Sequence, residues 1–224
     1  MTTKKSSERI KTLCVMAMLT AIAIAADIFL RIPNIGGFLT YEPKDVILTI
    51  GAFIFGPVAG LIMSLVVCFI EMITVGTTGP IGLIMNFLAS GVFVGFSSVI
   101  YHRKKNMTRA IIGLVVGSLS MIAIMLLWNY IITPIYMGVS REVVLGLFLP
   151  ILIPFNSIKA GLDSALILFL YKGIVTALRK SRLIPERESL DGKNKRNNTI
   201  ILVIVSAFIV ATLILVLLIF AGIL

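Results

Sequence analysis

The sequence predicts an all-α membrane protein, a polytopic bundle of six helices with one additional transmembrane helix at the C-terminus. Hydrophobic residues make up 58% of the 224 residues and charged residues only 13%, far fewer than a soluble domain carries. Several apolar runs reach the roughly 20 residues that a helix needs to cross a bilayer. The sequence contains no ten-residue segments of alternating polarity, which argues against a transmembrane barrel.

Six apolar runs form the predicted core, which we place at residues 1–180. The first run continues into a long apolar face without a convincing cleavage site, so we interpret it as a retained span rather than a signal peptide. Gly56 and Pro57 separate the second run from the third, and Gly-Thr-Thr-Gly-Pro at residues 76–80 predicts a turn. Ser140 is a candidate cap for a short helix before the last span. The predicted spans are residues 10–30, a run ending at residue 55, and residues 58–75, 81–101, 110–130 and 150–178.

Two further segments follow this core. Residues 181–198 are rich in charged side chains and form a predicted cytoplasmic linker. Residues 199–224 are a seventh apolar run, predicted to be an additional transmembrane helix. Because the linker shows no apolar periodicity, we expect the terminal helix to be tethered rather than packed, and dispensable for ligand binding.

The net charge of +10 is distributed in a way that indicates a membrane rather than a nucleic acid as partner. With a cytoplasmic N-terminus, 16 of the 20 Lys and Arg residues fall in segments on the inner side of the membrane, as the positive-inside rule requires. We therefore expect a multi-pass protein embedded in the lipid bilayer, with its N-terminus in the cytoplasm and no nucleic-acid partner.

The sequence carries none of the usual signatures of catalysis or of a metal site. It has no P-loop and no hydrolase, metalloprotease or dinucleotide motif. Cys14 and Cys68 lie inside apolar runs and are interpreted as packing residues, and His102 as a solvated residue of a basic loop. We expect a protein that is not an enzyme and needs no cofactor or metal, so that any ATP hydrolysis comes from a partner.

The last core span carries three polar residues on one face. Asn156, Lys159 and Asp163 follow one another at i, i+3 and i+7, so they share a side of the helix. A lysine at the centre of a membrane helix costs about 2.5–3.5 kcal/mol unless it faces a cavity, a partner or a ligand. We expect the bundle to form a cavity for this face, with Asp163 either pairing with Lys159 or contacting a ligand.

Other polar groups lie at a similar depth on neighbouring spans, namely Asn86, Trp128 and Asn129. Interhelical hydrogen bonding explains a single asparagine, but several polar groups at one depth favour a ligand site in the outer half of the bundle. Trp128 is either an interfacial belt residue or the wall of a site for a flat ligand. Three acidic residues nearby are interpreted as charges of a solvated loop or of an exposed helix end: Glu42, Asp45 and Glu71.

Four separated stretches carry a family resemblance: LTYEPKDVILTIGAFIFGPVAG, LIMNFLASGVF, IMLLWNYIITPIYMGV and LIPFNSIKAGLDSAL. Together they resemble the riboflavin-specific S-component, the substrate-binding subunit, of energy-coupling factor (ECF) transporters. The resemblance covers roughly residues 11–178. It implies a six-helix fold in the bacterial cell membrane, with the vitamin bound near the outer surface as a transported substrate rather than a cofactor. The seventh run departs from the family pattern, because S-components usually end after the sixth span.

The resemblance also implies ligand contacts. Asn129, Asn156 and Lys159 match contacts to the polar edge of the flavin, and the loop from Leu39 to Lys44 closes over it. With the polar residues noted above, the candidate substrate-binding set is Leu39, Thr40, Tyr41, Lys44, Asn86, Trp128, Asn129, Asn156, Lys159 and Asp163.

A stripe of small residues marks the first span. Ala17, Ala21 and Ala25 recur at i, i+4 and i+8, and they resemble the face by which S-components meet a transmembrane coupling subunit, which works with two ATP-binding-cassette ATPases. By geometry alone, the stripe fits packing against another span of the same chain equally well.

Other functions fit the same ingredients. An S-component for folate, thiamine or pantothenate has the same general needs. A gradient-driven secondary transporter is disfavoured because no inverted repeat or paired broken helices are evident, and a membrane enzyme because no nucleophile–base set recurs at one depth. For a structural or signalling subunit, residues 199–224 would be the natural interaction helix.

Overall fold

The structure is a computed structural model that describes residues 2–35, 39–181 and 183–184, with residues 204, 207–209, 211, 212, 215 and 216 of the C-terminal run. Most of the predicted linker and of the seventh run therefore lies outside the described residues. In chain order the elements are α1 (Thr2–Phe29), β1 (Ile32–Ile35), β2 (Leu39–Tyr41), α2 (Lys44–Phe55), α3 (Pro57–Thr74), α4 (Gly79–Lys104), α5 (Met107–Ile131), α6 (Thr133–Met137), α7 (Arg141–Gly146), a π-helical turn (Phe148–Leu152) and α8 (Ile153–Lys180).

Five helices among the described residues are long and apolar enough to cross a membrane. They comprise residues 8–29 of α1, then α3, α4 and α5, and the continuous run of residues 148–180 through α8. Their ends lie within a few residues of the predicted spans because local signals end them. Asn106, for example, caps α5 by accepting a hydrogen bond from the backbone N–H of Arg109. The predicted cap Ser140 begins the short helix α7 by accepting a hydrogen bond from the backbone N–H of Val143. The predicted helical membrane bundle is confirmed.

The helix α2 differs from the other apolar runs. It has 12 residues, or about 18 Å at 1.5 Å per residue, which is short of the roughly 30 Å of a hydrocarbon core. It packs against α1, α3, α4 and α8, and most of its residues are buried. It ends at Gly56, whose φ of 111° favours glycine, and Pro57 then opens α3. The second run is therefore a short buried helix of the bundle rather than a full-length span.

The strands β1 and β2 form an antiparallel hairpin between α1 and α2, with Ile32 opposite Tyr41. Sequence reasoning treated this segment as a loop. Strands of four and three residues are too short for an alternating pattern to be recognised. The hairpin ends at Tyr41, so that Tyr41 and Glu42 lie immediately before the start of α2.

The helices α4 and α5 approach each other closely at two glycines. A Cβ atom at Gly113 would lie 2.5 Å from the carbonyl oxygen of Ser97, and one at Gly117 would lie 2.2 Å from Ser97 Oγ. Lipid tails are as apolar as leucine, so helix association in a bilayer depends on close packing of this kind. The glycines therefore fix the position of α5, which carries Asn129 at its far end.

An aromatic cluster closes the end of the bundle opposite the hairpin. The hydroxyls of Tyr101 and Tyr171 lie 2.7 Å apart, and Phe53 stacks on Tyr101 with ring centroids 4.3 Å apart. His102 is half-buried, with Nε2 3.0 Å from the carbonyl oxygen of Ala52. The interpretation of His102 as a solvated residue is therefore wrong, since its ring joins α4 to the end of α2.

The helix α1 has a buried and an exposed face. Leu19 and Ala23 are buried against the bundle, whereas Ala17, Ala21 and Ala25 are all exposed. The alanine stripe thus does not pack against another described span of this chain. It is a free surface on the membrane side of α1.

Candidate functional site

A cavity of about 530 Å³ opens at the end of the bundle that carries the hairpin. Side chains from the segment between α1 and α2 and from α3, α4, α5 and α8 line it. This volume lies within the range of roughly 300–1,000 Å³ that is typical of small-molecule sites. One part of the wall is apolar and is formed by Met72, Val75, Met85, Met125, Ile132 and Phe155.

Seven of the ten predicted substrate-binding residues line this one cavity: Leu39, Thr40, Asn86, Trp128, Asn129, Asn156 and Lys159. They come from β2, α4, α5 and α8, so the fold brings together residues up to 120 positions apart in the chain. The other three do not line the cavity: Tyr41, Lys44 and Asp163 make ion pairs and hydrogen bonds beside it.

Two buried asparagines face the cavity from adjacent helices. Asn129 Nδ2 donates to the carbonyl oxygen of Met125 at 2.8 Å, and its Oδ1 accepts from Thr133 at 2.9 Å. Asn156 Nδ2 donates to the carbonyl oxygen of Leu152 at 2.7 Å. No hydrogen bond from another described residue reaches Asn156 Oδ1. This oxygen is an acceptor available to a ligand.

Lys159 joins α8 to the segment that precedes α2. Its Nζ donates to the carbonyl oxygen of Glu42 at 3.0 Å and lies 3.0 Å from an Asp45 carboxylate oxygen and 3.7 Å from Asp163 Oδ2. Tyr41 donates a hydrogen bond of 2.9 Å to the other oxygen of Asp163. The predicted pairing of Lys159 with Asp163 is present, but Asp45 is the nearer partner.

A second ionic group lies on the other side of Glu42. Lys44 Nζ contacts Glu42 at 2.6 Å and also contacts Glu71. Arg31 lies 3.2 Å from Glu42, and Asn86 donates to Glu71 at 2.6 Å. The Lys44 side chain is fully buried, so its ammonium depends on these carboxylates for compensation.

The acidic residues near the cavity are buried, contrary to the sequence interpretation. Glu42, Asp45 and Glu71 are 6%, 1% and 3% exposed. The loop interpretation was wrong because a charged stretch next to an apolar run normally faces water. Here Lys44 and Lys159 supply cations inside the bundle, and these make burial of the carboxylates tolerable.

The ionic contacts decide how the groups outside the spans titrate. Burial opposes ionisation of Glu42, but the nearby ammonium groups of Lys44 and Lys159 outweigh it and lower the pKa of Glu42 to about 2. Burial and the neighbouring Asp163 carboxylate raise the pKa of Tyr41. Glu42 is therefore an anion and Tyr41 a neutral hydrogen-bond donor at neutral pH.

Among the described residues around the cavity, carboxyl groups outnumber cationic side chains. Five carboxylates face three cations: Asp27, Glu42, Asp45, Glu71 and Asp163 against Arg31, Lys44 and Lys159. The carboxylates of Asp27, Glu42 and Glu71 each place an oxygen within 4.8 Å of the others, a spacing that suits a cation. The Lys44 ammonium already contacts two of the three, so it supplies the positive charge at this point.

Sequence reasoning missed several residues that line the cavity, among them Arg31, Cys68 and Glu71. A carboxylate inside an apolar run was a usable signal for Glu71, because such a residue needs a buried partner. Arg31 and Cys68 gave no local signal. Arg31 follows the first apolar run, where a flanking cation is expected for topology alone.

Comparison with known proteins identifies the family of this chain. Residues 11–171 match the family model described as the ECF transporter substrate-specific component. The riboflavin transporter RibU of Staphylococcus aureus (strain TCH60) is 30% identical over 185 residues, and the match covers 79% of this chain and 97% of the relative. The riboflavin transporter FmnP of Bacillus subtilis (strain 168) is 25% identical over 166 residues, and the match covers 67% of this chain and 85% of the relative.

A solved structure, described as the structure and mechanism of the S component of a bacterial ECF transporter, has the same fold. It superposes with a TM-score of 0.65 at 30% sequence identity, and the match covers 76% of this chain and 99% of the other.

Proposed function

The chain belongs to the ECF transporter substrate-specific component family, and we propose that it is the riboflavin-binding subunit of such a transporter. The observation that carries the proposal is the cavity, which combines an apolar wall with a cluster of buried amide and charged groups. The chain is a transport component, and hydrolysis of ATP belongs to its partners. The same assignment disfavours a gradient-driven secondary transporter.

The chemistry of riboflavin suits the two parts of the cavity wall. The dimethylbenzene end of the flavin is flat and apolar and fits against methionine and aliphatic side chains. The pyrimidine-dione edge carries alternating donors and acceptors, which match the unoccupied Asn156 Oδ1 and the ammonium of Lys159. Trp128 lines the cavity and offers a face for stacking on the flavin ring. In this arrangement Asn129 supports the site from α5.

Binding of riboflavin is tested by titration of the purified protein, with quenching of flavin fluorescence as the signal. We expect saturable quenching by one equivalent of protein and no competition by thiamine, folate or pantothenate. No riboflavin quenching, alongside clear binding of one of these vitamins in a direct binding measurement, would assign the protein to another ligand.

The site itself is tested by Asn156→Ala, because among the described residues the Asn156 amide donates to the Leu152 carbonyl of the preceding turn and its oxygen faces the cavity. A ligand group left without its buried partner loses about 1–3 kcal/mol, or roughly 5- to 150-fold in affinity. Asn106→Ala is the matched control, since Asn106 caps the end of α5 that is farther from the cavity. Equal affinity in both variants would place the ligand elsewhere.

The proposed partners are a transmembrane coupling subunit and two ATP-binding-cassette ATPases. The exposed stripe of Ala17, Ala21 and Ala25 supports this, because small side chains allow close approach of another helix in lipid. Ala21→Trp is expected to abolish ATP-dependent uptake in cells while the purified protein binds riboflavin normally. Leu119→Trp, on the lipid-facing side of α5 where Leu119 is 63% exposed, is the control. Equal uptake in both variants would contradict the coupling face.

The proposed orientation places the N-terminus in the cytoplasm and the cavity toward the outside of the bacterial cell membrane. The distribution of Lys and Arg residues supports it. In that orientation the hairpin and Arg31 lie on the outer side, where the vitamin arrives. Labelling of a cysteine introduced at exposed Glu142 by a membrane-impermeant reagent in intact cells is the expected result, and protection of that cysteine would reverse the orientation.

A further inference from the structure

The contact between the C-terminal run and α8 involves an aromatic ring and a glycine. The ring of Phe208 occupies the space beside Gly161, since a Cβ atom built on Gly161 would lie 2.3 Å and 2.4 Å from two of its ring carbons. Gly161 itself is buried. A side chain of any size at residue 161 would displace the ring, so the glycine is what admits it.

The burial of α8 is a second, separate observation. From residue 150 to residue 169, the run has exposed side chains only at its two ends, whereas α3 and α5 each expose a residue in nearly every turn. The covered stretch ends at Phe169, which is 60% exposed. Nearly twenty covered residues correspond to about 30 Å of helix. The side of α8 that would otherwise face lipid is therefore covered over this length, and Phe208 of the C-terminal run is one of the residues that contact it.

The described residues of the C-terminal run show one covered face. Ile209, Thr212 and Val216 are half-buried, and they are spaced i, i+3 and i+7. Leu215 is also half-buried. Ile204, Ala207 and Ala211 have the same spacing and are exposed, and Phe208, which lies between the two faces, is 43% exposed. This pattern is that of a helix lying lengthwise against a partner. The Thr212 hydroxyl donates to the carbonyl oxygen of Phe208 at 2.7 Å, so the one polar side chain among these residues is satisfied within its own helix.

From these three observations we infer that the C-terminal helix is a docked seventh member of the bundle, lying along α8 of the same chain with Phe208 in the space left by Gly161. This differs from the expectation of a merely tethered helix. Helix association in lipid depends on close packing at small residues, and Gly161 provides that place on α8. The inference does not depend on the identity of the ligand.

The position of the Phe208–Gly161 contact on α8 indicates the structural role of the docked helix. At 100° per residue, Gly161 lies about 200° around α8 from both Lys159 and Asp163, so Phe208 contacts the back of the segment whose front carries the ionic site. None of the described residues of the C-terminal run lines the cavity. The helix therefore supports α8 from behind without touching a ligand.

Thiol cross-linking in the full-length protein tests the docking directly. Cys14 and Cys68 are first replaced by alanine, and Gly161→Cys is combined with Phe208→Cys in a chain carrying a protease site within residues 185–198. A short bismaleimide is expected to link the two helices, so that cleaved protein still migrates as one chain. The control pair, Phe169→Cys with Phe208→Cys, has its cysteines eight residues further apart along α8 and is expected to separate on cleavage.

Each outcome of this experiment is decisive. Separation of the fragments in the test pair as readily as in the control pair would overturn the docking. A product of twice the chain mass would show that the helix docks on a second copy, which also overturns the inference as stated. A linked single chain supports it.

A second measurement needs no cysteines. Phe208→Ala is expected to lower the thermal midpoint by several degrees relative to Phe169→Ala, because the Phe208 ring, although 43% exposed, contacts α8 at Gly161, whereas the Phe169 ring is 60% exposed. Riboflavin affinity is expected to stay within about twofold in both variants, since less than about 0.5 kcal/mol is at stake when no ligand contact changes. Equal thermal midpoints for the two variants would contradict docking at Gly161.

Discussion

Replacement of Lys44 by methionine tests whether the buried ionic group holds this end of the bundle together. Methionine keeps most of the length of the lysine side chain and removes its charge. Lys44 is fully buried and contacts the carboxylates of Glu42 and Glu71, so the substitution leaves two buried anions with Arg31 as their remaining cationic neighbour. The substitution therefore leaves buried negative charge with less compensation, and it creates little empty space.

The magnitude follows from the burial of these groups. Removal of one partner from a buried ion pair costs about 3–5 kcal/mol, because the carboxylate left behind keeps its full desolvation penalty. In a chain of this size, 1 kcal/mol changes the thermal midpoint by about 2–4 °C. Lys44→Met is thus expected to lower the midpoint by roughly 6–20 °C. Lys172→Met is the control, because Lys172 lies on an exposed part of α8 and is expected to change stability by less than about 0.5 kcal/mol.

The assay is thermal unfolding of the purified protein in detergent, completed as a double-mutant cycle. Glu71→Gln removes one of the two anions that Lys44→Met leaves without an ammonium. The double variant is therefore expected to lose less stability than the sum of the two single variants, by about 0.5–3 kcal/mol. A Lys44→Met midpoint equal to that of Lys172→Met would refute the reasoning. Strict additivity in the cycle would show that Lys44 and Glu71 do not interact.

Three further predictions concern packing and charge. Gly117→Leu is expected to prevent folding, because even its Cβ would lie 2.8 Å from the backbone carbonyl oxygen of Phe93; Gly173→Leu, whose Cβ would have no described residue outside its own helix backbone and chain neighbours within 4 Å, is expected to fold normally by size-exclusion profile. Because the pKa of Glu42 is lowered from 4.5 to about 2, its stabilising contribution is complete above pH 4.5 and is lost as the pH falls toward 2. The midpoint of Glu42→Gln is then expected to fall less over this interval than that of the wild type, and an equal fall would contradict the assignment. Asp27 carries a buried oxygen without a hydrogen-bond partner, so Asp27→Asn is expected to keep or raise the thermal midpoint, and a loss of several degrees would mean that its charge is required.

Local patterns explain which parts of the fold were predictable. The apolar runs are consecutive in sequence, and helix length, capping by Ser140 and the break at Gly56 depend only on neighbouring residues. The predicted span of residues 81–101 corresponds to the helix Gly79–Lys104 for this reason. The hairpin was not predicted, since its pairing depends on residues on both sides of a turn and its strands are very short.

The candidate site was predictable in part. Asn156 and Lys159 stood out because polar groups are rare within apolar runs, and a helical spacing placed them on one face. Glu42 and Asp45 were misinterpreted because their sequence neighbours suggest a solvated loop. In the structure, the Glu42 carboxylate pairs with Lys44 and Arg31, and the cationic partner of Asp45, Lys159, lies more than a hundred residues away in the chain.

The sequence by itself determined that this protein is a helical membrane bundle with polar groups concentrated toward one end. That outcome follows from hydropathy, which each residue carries independently of its partners. The tertiary structure alone decided which charges neutralise one another, that Lys44 compensates carboxylates beside the cavity, and that Lys159 fastens α8 to the start of α2. An ionisable group is stable in an apolar interior only beside its counter-charge, and which groups become neighbours depends on how distant helices pack together.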